Sequence, residues 1–344
     1  MTVSTRLGRT HVEAFCSTGS SPGVSGRLRT RLPFDRLGWR SLDVRYEVHG
    51  PAHAPAVVVL GGISANRHLA PTAADPSPGW WPGLVGTARA LDPARRRLIG
   101  IDWIGPDDFD ADDAPPAETR LTTADQARAL LAVLARLGVP SAAVVGASYG
   151  GMVGLALADL APDRVSRIVS LCAAHRAHPM ATGLRALQRD AVRFGIEVGR
   201  PERGLALARA MAMTTYRSPG EFEGRFASDV LPNSEPPRFP VEDYLAARGE
   251  DFSRWFGADR FLALSESIDL HRVPRAALPA GSLLVSVDSD ALVPSWLVAE
   301  LAGNRNDIRH HVHASVFGHD AFLKDVDAMS ALVSAGLSGQ EVAR

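Results

Sequence analysis

Six short apolar runs, separated by segments of helical period, constrain this chain more than any other feature. They are AVVVLGG (56–62), LIGID (98–102), AAVVG (142–146), RIVSL (167–171), SLLVSVD (282–288) and IRHHVHA (308–314). Most are continuously apolar rather than alternating, which suits strands covered on both faces. Between them TTADQARALLAVLARLG (122–138) carries apolar residues at helical spacing, with Thr122 and Asp125 spaced as a capping box and Gly138 as a stop. ASYGGMVGLALADLAPDRV (147–165) opens a second helix, and DAFLKDVDAMSALVSAGL (320–337) reads as one closing helix. The alternation predicts an α/β fold with a mostly parallel sheet flanked by helices.

One stretch breaks the rhythm. From 175 to 278 the sequence holds helical patterns, TGLRALQRDAVRFGIEV (182–198) and RGLALARAMAMTTY (203–216), and a Pro-rich turn, LPNSEPPRFP (231–240), but no buried strand. This predicts a helical lid inserted into a core formed by 31–174 and 279–344, placed to cover a site at the strand ends. Residues 1–30, rich in Ser, Thr, Gly and Arg, read as a mobile N-terminal tail.

The third run ends in VVGASYGG (144–151). Gly146, Ser148 and Gly150 match G-x-S-x-G, in which a strand turns so sharply into a helix that small residues must flank the serine. Such a turn lifts the serine hydroxyl above the sheet and aims the backbone N–H of Tyr149 at a developing oxyanion. A short motif of this kind arises by accident, so the order of its partners carries more weight. An acid should follow a later strand, and a histidine should precede the last helix. VDSDALVP (287–294) offers Asp288 and Asp290, and SVFGHDAFL (315–323) offers His319. His319 is then the base for Ser148, and one aspartate orients its imidazole. LGGIS (60–64) would supply the second oxyanion donor through Ile63 N–H, unless its glycines form an ordinary turn.

Other histidines read differently. His311 and His313 fall on one strand face, but no third ligand is evident, so no metal is expected. His175 and His178 border the insertion as surface or gate residues.

The 37 Lys and Arg nearly balance the 38 Asp and Glu. That balance gives no reason to expect nucleic acid or an anionic membrane as a partner. Cys16 and Cys172 show no C-x-x-C spacing. The N-terminal stretch has no apolar h-region, and no apolar run is long enough to span a bilayer. The expectation is a cytoplasmic protein.

Several stretches carry a family resemblance. GWWPGLVG (79–86), TTADQARALLAVLARLGV (122–139), LARAMAMTTYRSPGEFEGRF (207–226), SDALVP (289–294) and GHDAFL (318–323) together resemble the homoserine O-acyltransferases of the α/β-hydrolase superfamily. The resemblance runs from about residue 40 to 337. It implies an α/β-hydrolase fold and a ping-pong transfer from acyl-CoA to the hydroxyl of L-homoserine, in methionine biosynthesis. It selects Asp290 over Asp288 as the acid. It also implies that Arg209 binds the homoserine carboxylate, that Asp320 binds its ammonium group and that Tyr216 lines the same pocket. An amino acid needs one cation and one anion to fix its two charged ends, which agrees. The family further implies a homodimer built through the lids, acyl-CoA as co-substrate and no permanently bound cofactor.

The chain departs from the commonest family pattern in two places. Tyr149 stands where Met usually follows the serine, and LGGIS lacks the histidine of many members. Both departures bear on the acyl donor. The compact form leans towards succinyl rather than acetyl transfer, and serine as acceptor differs from homoserine by one methylene. A carboxylesterase on the same fold is the alternative, and it has no need of Arg209 or Asp320.

Overall fold

The protein is described by a computed structural model over residues 23–113, 120–226, 228–232, 234–274 and 278–340. One sheet of eight strands organises it: β1 (Val24–Phe34), β2 (Gly38–His49), β3 (Ala56–Leu60), β4 (Arg97–Ile101), β5 (Ala142–Ala147), β6 (Val165–Leu171), β7 (Leu283–Val287) and β8 (Arg309–His313). Their order across the sheet is β1-β2-β4-β3-β5-β6-β7-β8. The six expected runs supply β3 to β8, all parallel. Val58, Leu60 and Val144 enter one core, whereas Val57, Val59 and Val145 enter the core on the other face. Successive side chains point to opposite faces, so a strand covered on both sides must be apolar throughout.

The tail expected over 1–30 is corrected at its C-terminal end. Residues 24–30 lie in β1, which pairs antiparallel with β2 from Val24↔Val48 to Phe34↔Gly38. Residues 1–22 fall outside the described residues. Arg27, Arg29 and Arg31 are exposed while Leu28 and Leu32 pack against the core. An edge strand covered on one face needs few apolar residues, so its composition resembles a loop.

The helix α1 (Thr123–Arg136) starts where expected. Thr122 Oγ1 accepts from Asp125 N at 3.2 Å, and Asp125 Oδ2 accepts from Thr122 N at 2.9 Å. Helix α2 (Tyr149–Leu160) follows β5 directly. Among the described residues between β6 and β7 stand five α-helices: α3 (Pro179–Glu197), α4 (Pro201–Tyr216), α5 (Pro219–Arg225), α6 (Pro240–Ser253) and α7 (Ala258–Leu270). Helix α4 packs against α3 and α6, and α7 against α3. The two stems of this insertion meet: Arg176 bridges Arg272, and Val273 N donates to His175 O at 3.0 Å. His175 is buried at this junction, which corrects its reading as a surface group; His178 caps α3 through Nδ1.

Helix α8 (Ser295–Ala302) follows β7. The single closing helix expected over 320–337 is two, α9 (Ala321–Lys324) and α10 (Val326–Ser338). Asp325 breaks it, leaving helical geometry while its carboxylate meets His313 Nε2 at 2.8 Å. No helix among the described residues is long and apolar enough to cross a membrane.

Candidate active site

Ser148 sits between β5 and α2 with φ +54°, a conformation that L-residues with side chains rarely adopt. The turn is held from below: Ser148 N donates to Leu171 O at 2.8 Å. A Cβ on Gly146 would lie 2.5 Å from Gly150 O, and one on Gly150 would lie 2.5 Å from Leu60 O. Both glycines are therefore demanded by backbone approaching backbone.

His319 lies in a 3-10 turn (Gly318–Asp320) just before α9. Its Nε2 is 2.8 Å from Ser148 Oγ and its Nδ1 is 2.7 Å from Asp290 Oδ2. A carboxylate only accepts, so Nδ1 carries the proton and Nε2 faces the serine hydroxyl as acceptor. The other oxygen of Asp290 accepts from Leu292 N at 2.8 Å and Val293 N at 3.0 Å. Asp288, exposed, accepts from Ser315 N instead. Of the two aspartates, Asp290 is therefore the one within hydrogen-bond distance of His319. Burial pulls the His319 imidazole down, but Asp290 by charge and hydrogen bond, with Asp320, outweighs it and raises the pKa above its ordinary value.

Behind the acid lies Cys172, fully buried and also at positive φ, +52°. Burial, with Asp290 and Asp320 nearby, pushes its thiol well above the usual range. Cys172, Asp290 and His319 are the one cluster of three potential metal ligands among the described residues. Its imidazole and carboxylate are already bonded to each other, and a thiol held protonated is a poor ligand. His311 and His313 stack at 6.4 Å, and His313 is committed to Asp325.

The loop at 61–65 is fastened beside the serine. Gly61 O accepts from Gly150 N at 2.8 Å, and Gly62 O accepts from Ala65 N and Trp103 Nε1, each at 2.9 Å. Among the described residues no carbonyl accepts from Ile63 N or Tyr149 N. The Tyr149 side chain points away from the site. It is buried, its hydroxyl is 2.7 Å from Ser267 Oγ, and its ring meets Trp103 edge-on at 4.9 Å. Burial raises its phenol pKa far above the ordinary value.

Ser148 and His319 open into a cavity also lined by Ile63, Arg209, Tyr216 and Asp320. The Arg209 guanidinium lies 5.2 Å from the Tyr216 ring centre and 4.9 Å from that of Phe252. The Tyr216 ring is 5.9 Å from that of His319. Asp320 is buried, and Arg217 Nε stands 2.9 Å from its Oδ2. Burial raises the Asp320 pKa, against the pull of Arg217, His319 and Arg209. Arg217 also pairs with Glu221. Sequence reasoning missed Arg217, although it adjoins Tyr216 in the quoted stretch. It also missed Arg185 and Gln188, which line the same cavity from α3.

A serine raised on a strand-to-helix turn, with acid and histidine arriving in that order, defines an α/β-hydrolase-fold protein, and the family model for the alpha/beta hydrolase fold matches residues 55–326. The chain is 45% identical over 321 residues to a homoserine O-succinyltransferase of Xanthomonas campestris pv. campestris, covering 92% of this chain and 84% of that one. It is 34% identical over 339 residues to a homoserine O-acetyltransferase of Thermus thermophilus, covering 86% and 85%. A crystal structure of homoserine O-acetyltransferase from Bacillus anthracis superposes with a TM-score of 0.83 at 19% identity, over 94% of this chain and 99% of that one, a likeness of fold. The chain belongs to the homoserine O-acyltransferase family of the α/β-hydrolase superfamily.

Proposed function

We propose that the protein transfers an acyl group from acyl-CoA to the hydroxyl of L-homoserine through an acyl-serine. Ser148 Oγ attacks the thioester carbonyl while His319 Nε2 takes its proton. The oxyanion is met by the N–H groups of Ile63 and Tyr149. The C–S bond breaks, and the proton on His319 leaves with the CoA thiol. The homoserine γ-hydroxyl then gives its proton to His319 and attacks the ester carbonyl. Collapse breaks the bond to Ser148 Oγ, which recovers the proton. Asp290 stabilises the imidazolium in both halves.

The observation that carries this reading is the cavity's pairing of Arg209 and Asp320 beside the joined Ser148–His319–Asp290 set. Arg209 suits a carboxylate and Asp320 an ammonium group, and a zwitterion needs both. An esterase has no use for that pair. The insertion over 175–278 acts as a lid that keeps water from the acyl-serine. Met180, Leu187 and Phe194, seven residues apart along α3 and exposed, fit a homodimer joined through the lids. Acyl-CoA serves as co-substrate in this reading, and the chemistry needs no permanently bound cofactor.

Intact-mass analysis of the purified protein offered an acyl-CoA tests the reading. One acyl adduct, cleared by homoserine and absent from Ser148→Ala, is expected. Unchanged transfer by Ser148→Ala would refute the covalent route. Equal loss of homoserine acylation and simple ester hydrolysis in Arg209→Ala and Asp320→Ala would remove specific amino-acid binding.

A further inference from the structure

The cavity has a second cationic corner, made by α3 and α7. Arg185 and Gln188, three residues apart on α3, face it together with Ser265 of α7. Asp269 holds the corner. Its Oδ1 accepts from Arg185 Nε at 2.8 Å, Arg185 Nη2 at 2.6 Å and Thr182 Oγ1 at 2.8 Å. Its Oδ2 accepts from Arg189 Nη1 at 2.7 Å, and Arg189 Nη1 also reaches Ser265 Oγ at 3.1 Å.

Two guanidiniums thus share one carboxylate, leaving one positive charge in surplus. All three side chains are nearly buried, at 13%, 10% and 10% exposure. Among the described residues Arg185 Nη1 has no hydrogen-bond partner, and neither does the Gln188 amide, although Gln188 is only 5% exposed. Both groups open on the cavity rather than being sealed in protein, so an anion arriving there gains their unspent hydrogen bonds. The amino-acid corner differs. Arg209 and Asp320 there offer the cavity one charge of each sign, which matches a zwitterion.

We propose, building on the acyl-transfer reading above, that Arg185 and Gln188 receive a carboxylate at the far end of the acyl group, so that the donor is the CoA thioester of a short dicarboxylic acid, of succinyl type. The thioester carbonyl is pinned at Ser148, so the group able to reach another wall of the same cavity is the acyl tail. The CoA phosphates lie at the other end of the pantetheine arm. Arg185 is close enough for its charge to act on His319, lowering its pKa. A neutral acetyl group leaves the surplus charge unmet.

The test compares succinyl-CoA, butyryl-CoA of equal carbon count and acetyl-CoA, with homoserine as acceptor. Wild type should favour succinyl over butyryl by about 100-fold in kcat/KM, the worth of a charged hydrogen-bonded contact. Arg185→Met should lower that ratio about 100-fold and Gln188→Leu about tenfold. Gln188→Glu, which places a like charge at the corner, should lower it further than Gln188→Leu. Gln188 has no protein partner, so its variants keep the test open if Arg185→Met does not fold. A wild type that favours butyryl- or acetyl-CoA overturns the proposal. So do variants that lower all donors equally, or that raise only the KM for homoserine. If no acyl-CoA acylates Ser148, the acyl-transfer reading falls as well. If acetyl or butyryl acylates it and succinyl does not, only the dicarboxylic donor falls.

Discussion

Trp103 Nε1 donates to the carbonyl of Gly62 at 2.9 Å, which ties the core behind the elbow to the loop carrying Ile63. The same indole meets the Tyr149 ring edge-on. One buried aromatic pair therefore braces both backbone N–H groups proposed for the oxyanion. The side chain of the residue after the serine thus lies behind the turn and does not line the cavity.

Trp103→Phe keeps the ring and removes the donor. An oxyanion-hole donor is worth about 10²–10³ in kcat, and loosening one should cost less, about tenfold. Steady-state kinetics should place the loss in kcat, with the KM for homoserine unchanged. A raised KM with unchanged kcat would contradict the brace.

The pH profile follows from His319. Its pKa is raised, and only the neutral imidazole accepts the serine proton. Activity should fall as pH drops through that raised value, so the acid limb of kcat/KM should lie above the ordinary imidazole pKa of about 6.5. Asp320→Asn removes one of the charges responsible, and the limb should move to lower pH. A limb that stays in place in this variant would deny the coupling.

Arg217 meets Asp320 without itself lining the cavity. Burial already favours the protonated carboxyl, and Arg217 is the first force against it. Arg217→Met should push the Asp320 pKa further up and weaken ammonium binding. The KM for homoserine should rise about tenfold, more at low pH than at high, while acylation of Ser148 in a single turnover stays near wild type. Restored KM in Arg217→Lys would support the charge over mere packing.

His271 links lid and core. Its Nδ1 is 2.8 Å from Thr123 Oγ1 and its Nε2 is 3.2 Å from Ala174 O. Burial first, and then His175, push its pKa down to about 3, against the Ala174 bond. The folded state thus binds fewer protons there than the unfolded state. Its contribution is complete above about pH 6.5 and is lost progressively towards pH 3. About 2 kcal/mol should be gone at pH 5. Denaturant unfolding at pH 7.5 and pH 5 should show the gap between wild type and His271→Gln narrowing by about that amount. A pH-independent gap would count against a neutral buried imidazole.

Strands β3 to β8 and the elbow were legible because each is a local pattern, whereas the residues alone offered Asp288 as well as Asp290 ahead of His319. A doubly covered strand must be apolar, and a strained turn must have glycine on both sides. Strand β1 escaped notice because alternation on a half-exposed edge leaves an Arg-rich stretch. The closing helix divided at Asp325 because a distant residue, His313, claims its carboxylate.

The sequence by itself determined strands β3 to β8 and the strained turn at Ser148, since these depend on period and spacing. Only the tertiary structure decided which charges share a carboxylate. It set Arg217 against Asp320, Arg185 and Arg189 on Asp269, and left Gln188 facing the cavity. Ion pairing depends on distances of a few ångströms between residues far apart in the chain, and no local pattern records them.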